Sequence, residues 1–298
     1  MLYIREFVVR KHERGLLFKN GDFVRFLAPA VYRFFDPGKR IDVERFDLSQ
    51  PRFEHRLLDY LVRWYPEAVE DLFLRVETGA NEIGVIYRNG HPWTYVAPEQ
   101  RALFWKGVVH VRAEIVDASG DGEVPARVVQ SLLRDLQARR ASPFKDAVYV
   151  REVPESHAGL LYIEGRLVRE LAPGIHAFWQ VGRRVAIEIL DARVKALEVG
   201  GEEILTKDKA SLRVHLNASY RFADALLTVR SVRDPIDFLY REIRQGLRNA
   251  VAQRSLDALL EDKSALDKDV FENVQRKFAP LGIDIRDIGV NELAKITL

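Results

Sequence analysis

The stretch "GLLYIEGRLVRELAPG" occupies residues 159–174 and combines an apolar run, a glycine turn, a second run and a Pro-Gly pair. Two earlier stretches follow the same plan: "GLLFKNGDFVRFLAPA" at 15–30 and "GVIYRNGHPWTYVAPE" at 84–99. Aligning their first glycines places a second glycine six residues later in each copy and a proline eight residues after that. Internal repeats bear on the whole architecture, so the chain is predicted to contain one structural unit three times.

Each copy is predicted to be a small antiparallel β-meander. Asn20-Gly21 and Asn89-Gly90 are typical two-residue hairpin turns, in which both central residues need a positive φ. The Ala-Pro pair that follows breaks the returning strand and redirects the chain. An alternating segment, such as 184–192 in the third copy, then closes the meander.

Helices are predicted after the first two meanders, at 55–70 with an interruption near Pro66 and at 123–140. The predicted domains are therefore a first repeat with its helix, a second repeat with its helix, and a third repeat that continues into a larger domain: 1–74, 75–147 and 148–298.

After the third meander the pattern changes. Residues 210–222 alternate as one strand with its apolar face formed by Leu212, Val214, Leu216, Ala218, Tyr220 and Phe222. Asp224 is predicted to cap a short helix. A longer helix follows Asp234-Pro235 and has an apolar stripe formed by Ile236, Leu239, Ile243, Leu247 and Val251. A last helix from about Ser264 ends before Gly282, and a strand at 283–290 closes an α+β fold.

The region from Val153 onward resembles the band-7 or SPFH domain of the stomatin, prohibitin and flotillin group, and bacterial slipins in particular. The resemblance lies in the third repeat, in "EILTKDKASLRVHLNASYRF" at 203–222, in the helical stretch 239–263 and in "FAPLGIDIRDIGVNEL" at 278–293. It implies a band-7/SPFH domain with C-terminal helices and a closing strand. It also implies self-association, attachment to a membrane surface and scaffolding of partners such as membrane proteases.

Two departures from that family pattern concern the ends of the chain. The first two repeats stand where stomatins have an N-terminal membrane hairpin. The C-terminal coiled coil of the family is not present after "NELAKITL", so we expect that the sequence is shortened there. This arrangement resembles that of bacterial slipins in which a soluble N-terminal part precedes the SPFH domain.

Composition excludes several classes of function. The 298 residues contain no cysteine, which excludes disulfides, thiolate metal sites and cysteine nucleophiles. The net charge of +2, from 46 basic and 44 acidic residues, provides no overall field for nucleic acid. No window is long and apolar enough for a transmembrane helix or a signal peptide. We expect a cytoplasmic protein, peripheral on the membrane at most.

The sequence nominates no catalytic residue, cofactor or metal site. The seven histidines show no metal-ligand spacing, and the paired glycines lack the Lys-Ser/Thr of a phosphate-binding loop. The carboxylates are typical of a solvated surface in a chain that is 30% charged. We therefore predict a protein that is not an enzyme, with an unrecognised hydrolase as the remaining possibility.

Aromatic pairs after each repeat proline are candidate contacts to a membrane or to a partner: Phe34, Phe35, Phe104, Trp105, Phe178 and Trp179. Apolar side chains beside arginines and lysines suit the interface of an anionic membrane. Recurrence at one position suits core packing equally well, so one aromatic of each pair is expected in the core, and the place of the other is left open.

Four arginines on the polar side of the predicted helix 236–254 are candidates for an oligomer interface: Arg241, Arg244, Arg248 and Arg254. The alternative for them is an ordinary solvated helix face.

Two functional hypotheses follow. The first is a non-enzymatic scaffold on the membrane surface that forms homo-oligomers and organises or regulates partner proteins, with an anionic lipid surface and a membrane protease as possible contacts. The second is a soluble adaptor that binds a protease or another protein without lipid contact.

Overall fold

The computed structural model describes residues 3–295, apart from the side chain of Glu202. The first two residues of the predicted N-terminal repeat and the last three of the predicted C-terminal domain lie outside that range. The described chain forms two compact units, Met1–Tyr149 with Ala177–Arg183, and Val150–His176 with Arg184–Leu298. The three-domain division remains a prediction, and the two units are described separately below.

The first repeat is a two-layer sandwich. Its strands are β1 (Ile4–Val9), β2 (Glu13–Lys19), β3 (Asp22–Leu27), β4 (Ala30–Phe35) and β5 (Ile41–Asp47). The predicted meander is the antiparallel sheet β3–β2–β5, and β1 pairs with β4 in a second sheet. The second sheet was not anticipated. It is needed because a lone meander would leave its apolar face, here Leu17, Leu27 and Val43, in water; Val9 of β1 packs against that face.

The second repeat has the same plan with added helices. The connection to it contains β6 (Arg52–Phe53), α1 (Leu58–Trp64) and α2 (Pro66–Leu72). Its own strands are β7 (Phe73–Glu77), β8 (Glu82–Arg88), β9 (His91–Val96), β10 (Arg101–Trp105) and β11 (Val111–Asp117), followed by α3 (Ala126–Gln137). The sheets are β11–β8–β9 and β6–β10–β7. Both predicted helices are confirmed, and Pro66 begins α2, where its missing N–H leaves no bond unmade.

The third repeat consists of β12 (Val148–Val153), β13 (His157–Ile163), β14 (Arg166–Leu171), β15 (Gly174–Trp179) and β16 (Val185–Asp191). The sheet order β14–β13–β16 repeats that of the first meander, and β12 pairs with β15. The structure therefore contains the predicted threefold repeat, with five strands in each copy.

The two glycines of each repeat have different physical roles. The second ones, Gly21, Gly90 and Gly165, have φ of 89°, 84° and 74°, as the hairpin turns require. The first ones face the layer beneath, where a side chain has no room. A Cβ on Gly159 would lie 2.7 Å from Val153 Cγ2, and one on Gly84 would lie 3.0 Å from Val76 Cγ1. Close packing of the two layers therefore explains why this glycine recurs.

The remainder of the second unit is a three-stranded sheet packed against helices. The sheet order is β17 (Lys195–Leu205), β18 (Ser211–Phe222) and β19 (Ile283–Lys295). The helices are α4 (Ala225–Ser231), α5 (Pro235–Ala252), α6 (Leu256–Glu261) and α7 (Lys263–Phe278), and a 3₁₀ turn spans Ala279–Leu281. The predicted apolar face of β18 is buried throughout. Four of the five predicted stripe residues of α5 are buried, whereas Ile236 is exposed because it lies in the first turn.

Helix boundaries in this unit follow their capping residues. Asp224 and Asp234 accept hydrogen bonds from Leu227 N and Asp237 N, at 2.7 and 3.0 Å, and so begin α4 and α5 as predicted. The last helix begins at Lys263, because Asp262 accepts a bond from Ala265 N at 3.1 Å. The separate short helix α6 was not anticipated.

Candidate interaction surfaces

The Thr-Lys-Asp turn between β17 and β18 is hydrogen-bonded to the helical region. The Thr206 hydroxyl is buried, accepts a hydrogen bond from Ala210 N at 2.9 Å and donates one to the Asp208 carboxylate. That carboxylate also accepts from Leu256 N at 3.2 Å, at the start of α6. Lys207 N donates to Arg254 O at 2.8 Å. The stretch that most resembles the band-7 pattern therefore has a structural role, since it ties the turn of the sheet to the α5–α6 connection.

We expect Asp208→Ala to lower the urea midpoint of the second unit at pH 7 and to have less effect in acid. The pKa of the Asp208 carboxyl lies below its ordinary value, chiefly because Thr206 donates a hydrogen bond to it. A carboxyl whose pKa is lowered by folding contributes stability above its unfolded pKa, and the contribution is lost as the pH falls through the folded value. The difference between wild type and variant should therefore shrink below about pH 4. Asp208→Asn, which retains an oxygen acceptor, is the matched control, and a difference independent of pH would contradict the assignment.

Four of the six candidate aromatic residues are core residues. Phe104 packs in the inner layer of the second repeat, and Trp105 packs on its outer side with its ring 4.0 Å from that of Phe73. Phe178 and Trp179 are fully buried, and Trp179 lies against Phe144 in the first unit. In these two repeats the second aromatic of each pair, which the sequence left open, is also in the core, because both faces of the strand are covered. These four side chains are not part of any contact surface that we propose.

The first repeat differs because no described residue covers one face of its strand pair. Phe34 points inward and contacts Phe7, with ring centroids 6.2 Å apart. Phe35 points outward and is 73% exposed. The alignment of repeats pairs Phe35 with Phe104, but Phe104 lies on the inner side. Strand β10 begins three residues after its proline, whereas β4 begins one residue after, and this difference changes the register.

The outward side of β1 and β4 forms a surface that we call the open face. Four exposed apolar side chains form it: Ile4, Val8, Val31 and Phe35. Ile4 is opposite Phe35 and Val8 is opposite Val31 in the strand register, so the pairs lie on one side of the sheet. Between them Arg33 Nε lies 2.7 Å from Glu6 Oε2. Contiguous exposed apolar groups of this kind mark interaction sites more often than isolated ones.

The four candidate arginines do not form one surface. Arg241, Arg244 and Arg248 are exposed on one side of α5, and Arg241 forms an ion pair with Asp237 at 2.8 Å. Arg254 is mostly buried, pairs with Asp269 of α7 and donates to Ala250 O at 3.0 Å. Arg254 therefore joins two helices within the unit, and the oligomer contact remains a proposal for Arg241, Arg244 and Arg248.

No metal-binding group of three His, Cys, Asp or Glu side chains occurs within residues 3–295. A cavity of ≈ 750 Å³ in the first unit is lined by Asp59, Glu77, Glu99 and Arg101. Arg101 bonds to two of these carboxylates, Asp59 at 3.0 Å and Glu77. Three of these four charges are therefore partners of one another. None of the helices in the described range is both long enough and apolar enough to span a membrane.

The comparisons with known proteins concern the second half of the chain. Residues 151–294, from β12 to β19, match the family described as SPFH domain / Band 7 family. A stomatin homologue of Pyrococcus horikoshii is 24% identical over 144 residues, which cover 48% of this chain and 53% of that protein.

Two further relatives come from distant organisms. Mechanosensory protein 2 of Caenorhabditis elegans is 24% identical over 151 residues, or 51% of this chain and 31% of that protein. Protein HflK of Buchnera aphidicola is 26% identical over 148 residues, or 47% and 34%. The chain spans a little over half the length of the stomatin homologue of Pyrococcus horikoshii and of two other curated relatives that it matches. Residues 151–294, about half of this chain, are thus similar to the SPFH domain / Band 7 family.

Proposed function

We propose that this protein is a non-enzymatic scaffold that self-associates on the cytoplasmic face of a membrane and organises or regulates partner proteins there. The observation that carries the proposal is the SPFH domain of residues 151–294, together with its similarity to a stomatin homologue and to HflK. The proposal follows the resemblance of the sequence to slipins of bacteria. A membrane protease or another membrane protein is the class of partner that we propose, with anionic lipid as the surface.

The distribution of side chains supports a surface role. The Thr206–Asp208 turn serves packing, and in the cavity of ≈ 750 Å³ Arg101 is paired with Asp59 and Glu77. What the first repeat presents to solvent is an apolar sheet face, and what α5 presents is a row of three arginines. Neither surface encloses a small molecule, so both are suited to binding a protein or membrane surface.

The second candidate function is a soluble adaptor that binds a protease or another protein without lipid. One observation favours it: the aromatic side chains of the second and third repeats are buried, which leaves Phe35 as the exposed member of the candidate set. The apolar area offered to a bilayer is correspondingly small.

Vesicle co-sedimentation combined with light scattering separates the two functions. The scaffold should sediment with vesicles containing anionic lipid and less with zwitterionic ones, and rising salt should weaken the binding, because screening shortens the reach of the arginines. Light scattering should give a mass well above the 34.3 kDa of one chain. A monomer that ignores both kinds of vesicle would contradict the scaffold, whereas an oligomer that ignores both would support the adaptor.

A further inference from the structure

In the second repeat both edges of the fourth strand are paired. Strand β10 lies between β7 and the short strand β6. Trp105 N donates a hydrogen bond to Pro51 O at 2.6 Å, and Leu103 stands opposite Phe53 in the antiparallel register. The connection that enters this repeat therefore extends its sheet by one short strand.

The third repeat is completed in the same way. Strand β15 pairs with β12 along one edge, and residues 122–124 lie along its other edge. Trp179 N donates to Gly122 O at 2.9 Å, and Val124 N donates to Ala177 O at 3.0 Å. The added stretch again belongs to the connection that enters the repeat.

The two added stretches have the same pattern of burial. Residues 51–53, Pro-Arg-Phe, and residues 122–124, Gly-Glu-Val, are each buried, exposed and buried in turn. The apolar third residue packs on the sheet in the second repeat, where the rings of Phe53 and Trp105 are 5.4 Å apart. The charged middle residues have opposite signs, so the stretches share main-chain pairing and an apolar third residue but no particular charge.

Strand β4 of the first repeat pairs with β1 alone among the described residues. Directly after it, Asp36 N donates to Tyr3 O at 2.7 Å. Because successive residues of a strand present their backbone groups to opposite edges, those of Val31, Arg33 and Phe35 face away from β1. We call this side of the strand the outer edge of β4.

The outer edge of β4 corresponds to the edge that is paired in the third repeat. Phe35 and Arg33 stand 144 residues before Trp179 and Ala177. The N–H and C=O groups that bind residues 122–124 in the third repeat therefore have direct counterparts in the first repeat. There no described strand meets them, and the open face lies beside them.

The outer edge of β4 has few of the features that protect an exposed sheet edge. Natural sheets use proline, bulges and charged side chains for this purpose. The strand contains no proline, and its six residue pairs with β1 run without a bulge. Its one charged residue, Arg33, is paired with Glu6 at 2.7 Å. The edge is therefore accessible to another strand.

We propose that the outer edge of β4 binds an extended segment of a partner protein by β-strand addition. The segment runs antiparallel, accepts a hydrogen bond from Phe35 N and, two residues later, donates one to Arg33 O. The residue that donates is apolar, as Phe53 and Val124 are in the other repeats. Opposite Arg33, its side chain lies on the open face between Val31 and Phe35, within reach of both.

The occupant that we infer is a different protein, because this chain has already used its own stretches of this kind. The connection that leaves the third repeat continues into β17, where residues 195–199 pair with β18. No further stretch of this kind remains among the described residues to complete β4. The inference rests on partner binding in the proposed function, and it requires neither self-association nor lipid.

Peptide binding to the full chain tests the proposal, with fluorescence anisotropy as the readout. The probe is a fluorescein-labelled peptide with the sequence of residues 48–55, which contains the added stretch of the second repeat. It should bind wild type. The same peptide N-methylated at the position of Phe53 should bind about tenfold more weakly, because methylation removes one main-chain donor and keeps the side chain.

Two proline variants identify the edge that binds. Phe35→Pro removes an N–H from the outer edge of β4, and Ile4→Pro removes one from the opposite edge of the same sheet. The two residues stand opposite each other and both belong to the open face, so each variant loses one apolar side chain there. Proline is tolerated where the N–H faces solvent, and circular dichroism confirms folding. Phe35→Pro should weaken peptide binding by about tenfold, whereas Ile4→Pro should bind like wild type.

Three outcomes would overturn the inference. If wild type does not bind the peptide, or binds the N-methylated peptide equally well, the edge does not accept a strand, and the proposed function stands. If both proline variants lose binding equally, the open face and not the edge of β4 holds the peptide. If Phe35→Pro leaves peptide binding unchanged but lowers the assembled mass or the sedimentation with anionic vesicles, the surface contacts another copy or lipid. Peptide binding by a monomer that ignores vesicles would support strand addition and contradict the scaffold.

Discussion

Replacing Gly282 by alanine should lower the free energy of unfolding by about 2–4 kcal/mol, through left-handed backbone strain and overpacking together. Gly282 follows the 3₁₀ turn after α7, and its φ is 79°. A Cβ there would lie 2.5 Å from Asp224 O and 3.0 Å from Thr228 Oγ1. The carbonyl of Gly282 accepts hydrogen bonds from Ala223 N and Asp224 N at 2.9 and 3.1 Å, so a shift that relieved the clash would break the start of α4.

The measurement is urea unfolding followed with two probes. Helices α4 to α7 lie in the second unit, so the far-UV signal at 222 nm reports largely on it. All four tryptophans lie in the first unit, at positions 64, 93, 105 and 179, and their fluorescence reports on that unit. We expect Gly282→Ala to move the far-UV transition to lower urea. Gly289→Ala is the matched control, since a Cβ there meets nothing within 4 Å. Equal effects of the two substitutions would contradict the steric argument.

Replacing Gly159 by alanine should destabilise the second unit by about 1–3 kcal/mol, the range for overpacking a close-packed core. Its Cβ would lie 2.7 Å from Val153 Cγ2 and 3.1 Å from Leu171 Cβ. Val153 is buried and β-branched, so its side chain has little freedom to move aside. The measurement is again the far-UV transition in urea.

The same substitution in the other repeats provides an internal series. The nearest contacts of a Cβ lengthen to 3.0 Å at Gly84 and 3.1 Å at Gly15, so both alanine variants should be milder and should affect the tryptophan signal of the first unit. The double variant Gly159→Ala with Val153→Ala should lose less free energy of unfolding than the sum of the losses in the two single variants. The reason is that Val153→Ala removes the atom with which the new Cβ clashes. Simple additivity in that pair would show that the two layers are not in contact at this position.

Local patterns were sufficient for most elements of the fold. The alternation at 210–222 predicted β18 and its buried side, and the cap Asp224 and the pair Asp234-Pro235 predicted the starts of two helices. Asn20-Gly21 and Asn89-Gly90 predicted hairpins, and both turns have positive φ at both residues. These signals are readable because the interactions involved span only a few residues.

The candidate interaction residues were harder to predict, because burial depends on what covers a strand. Trp105 and Phe35 both follow a repeat proline and both point outward, but Trp105 is 2% exposed and Phe35 is 73% exposed. The difference comes from β2, β3, α1 and α2, which pack over Trp105 and have no counterpart over Phe35 among the described residues. In the sequence, Arg254 has the same helical spacing as the other three candidate arginines. Its pairing with Asp269 could not be predicted, because the two residues meet only when α7 packs against α5.

The sequence by itself determined that the chain contains three copies of one β unit, that the third continues into an α+β domain, and that this domain resembles the SPFH family. It did so because hydrophobic period, turn glycines and helix caps are properties of neighbouring residues. Only the tertiary structure decided that each unit has a second layer, why its first glycine recurs, and which aromatic side chains stay at the surface. Those features depend on segments that meet in space, many of them distant in the chain, such as Phe26 against Trp105, and no local pattern records which distant surface will cover a strand.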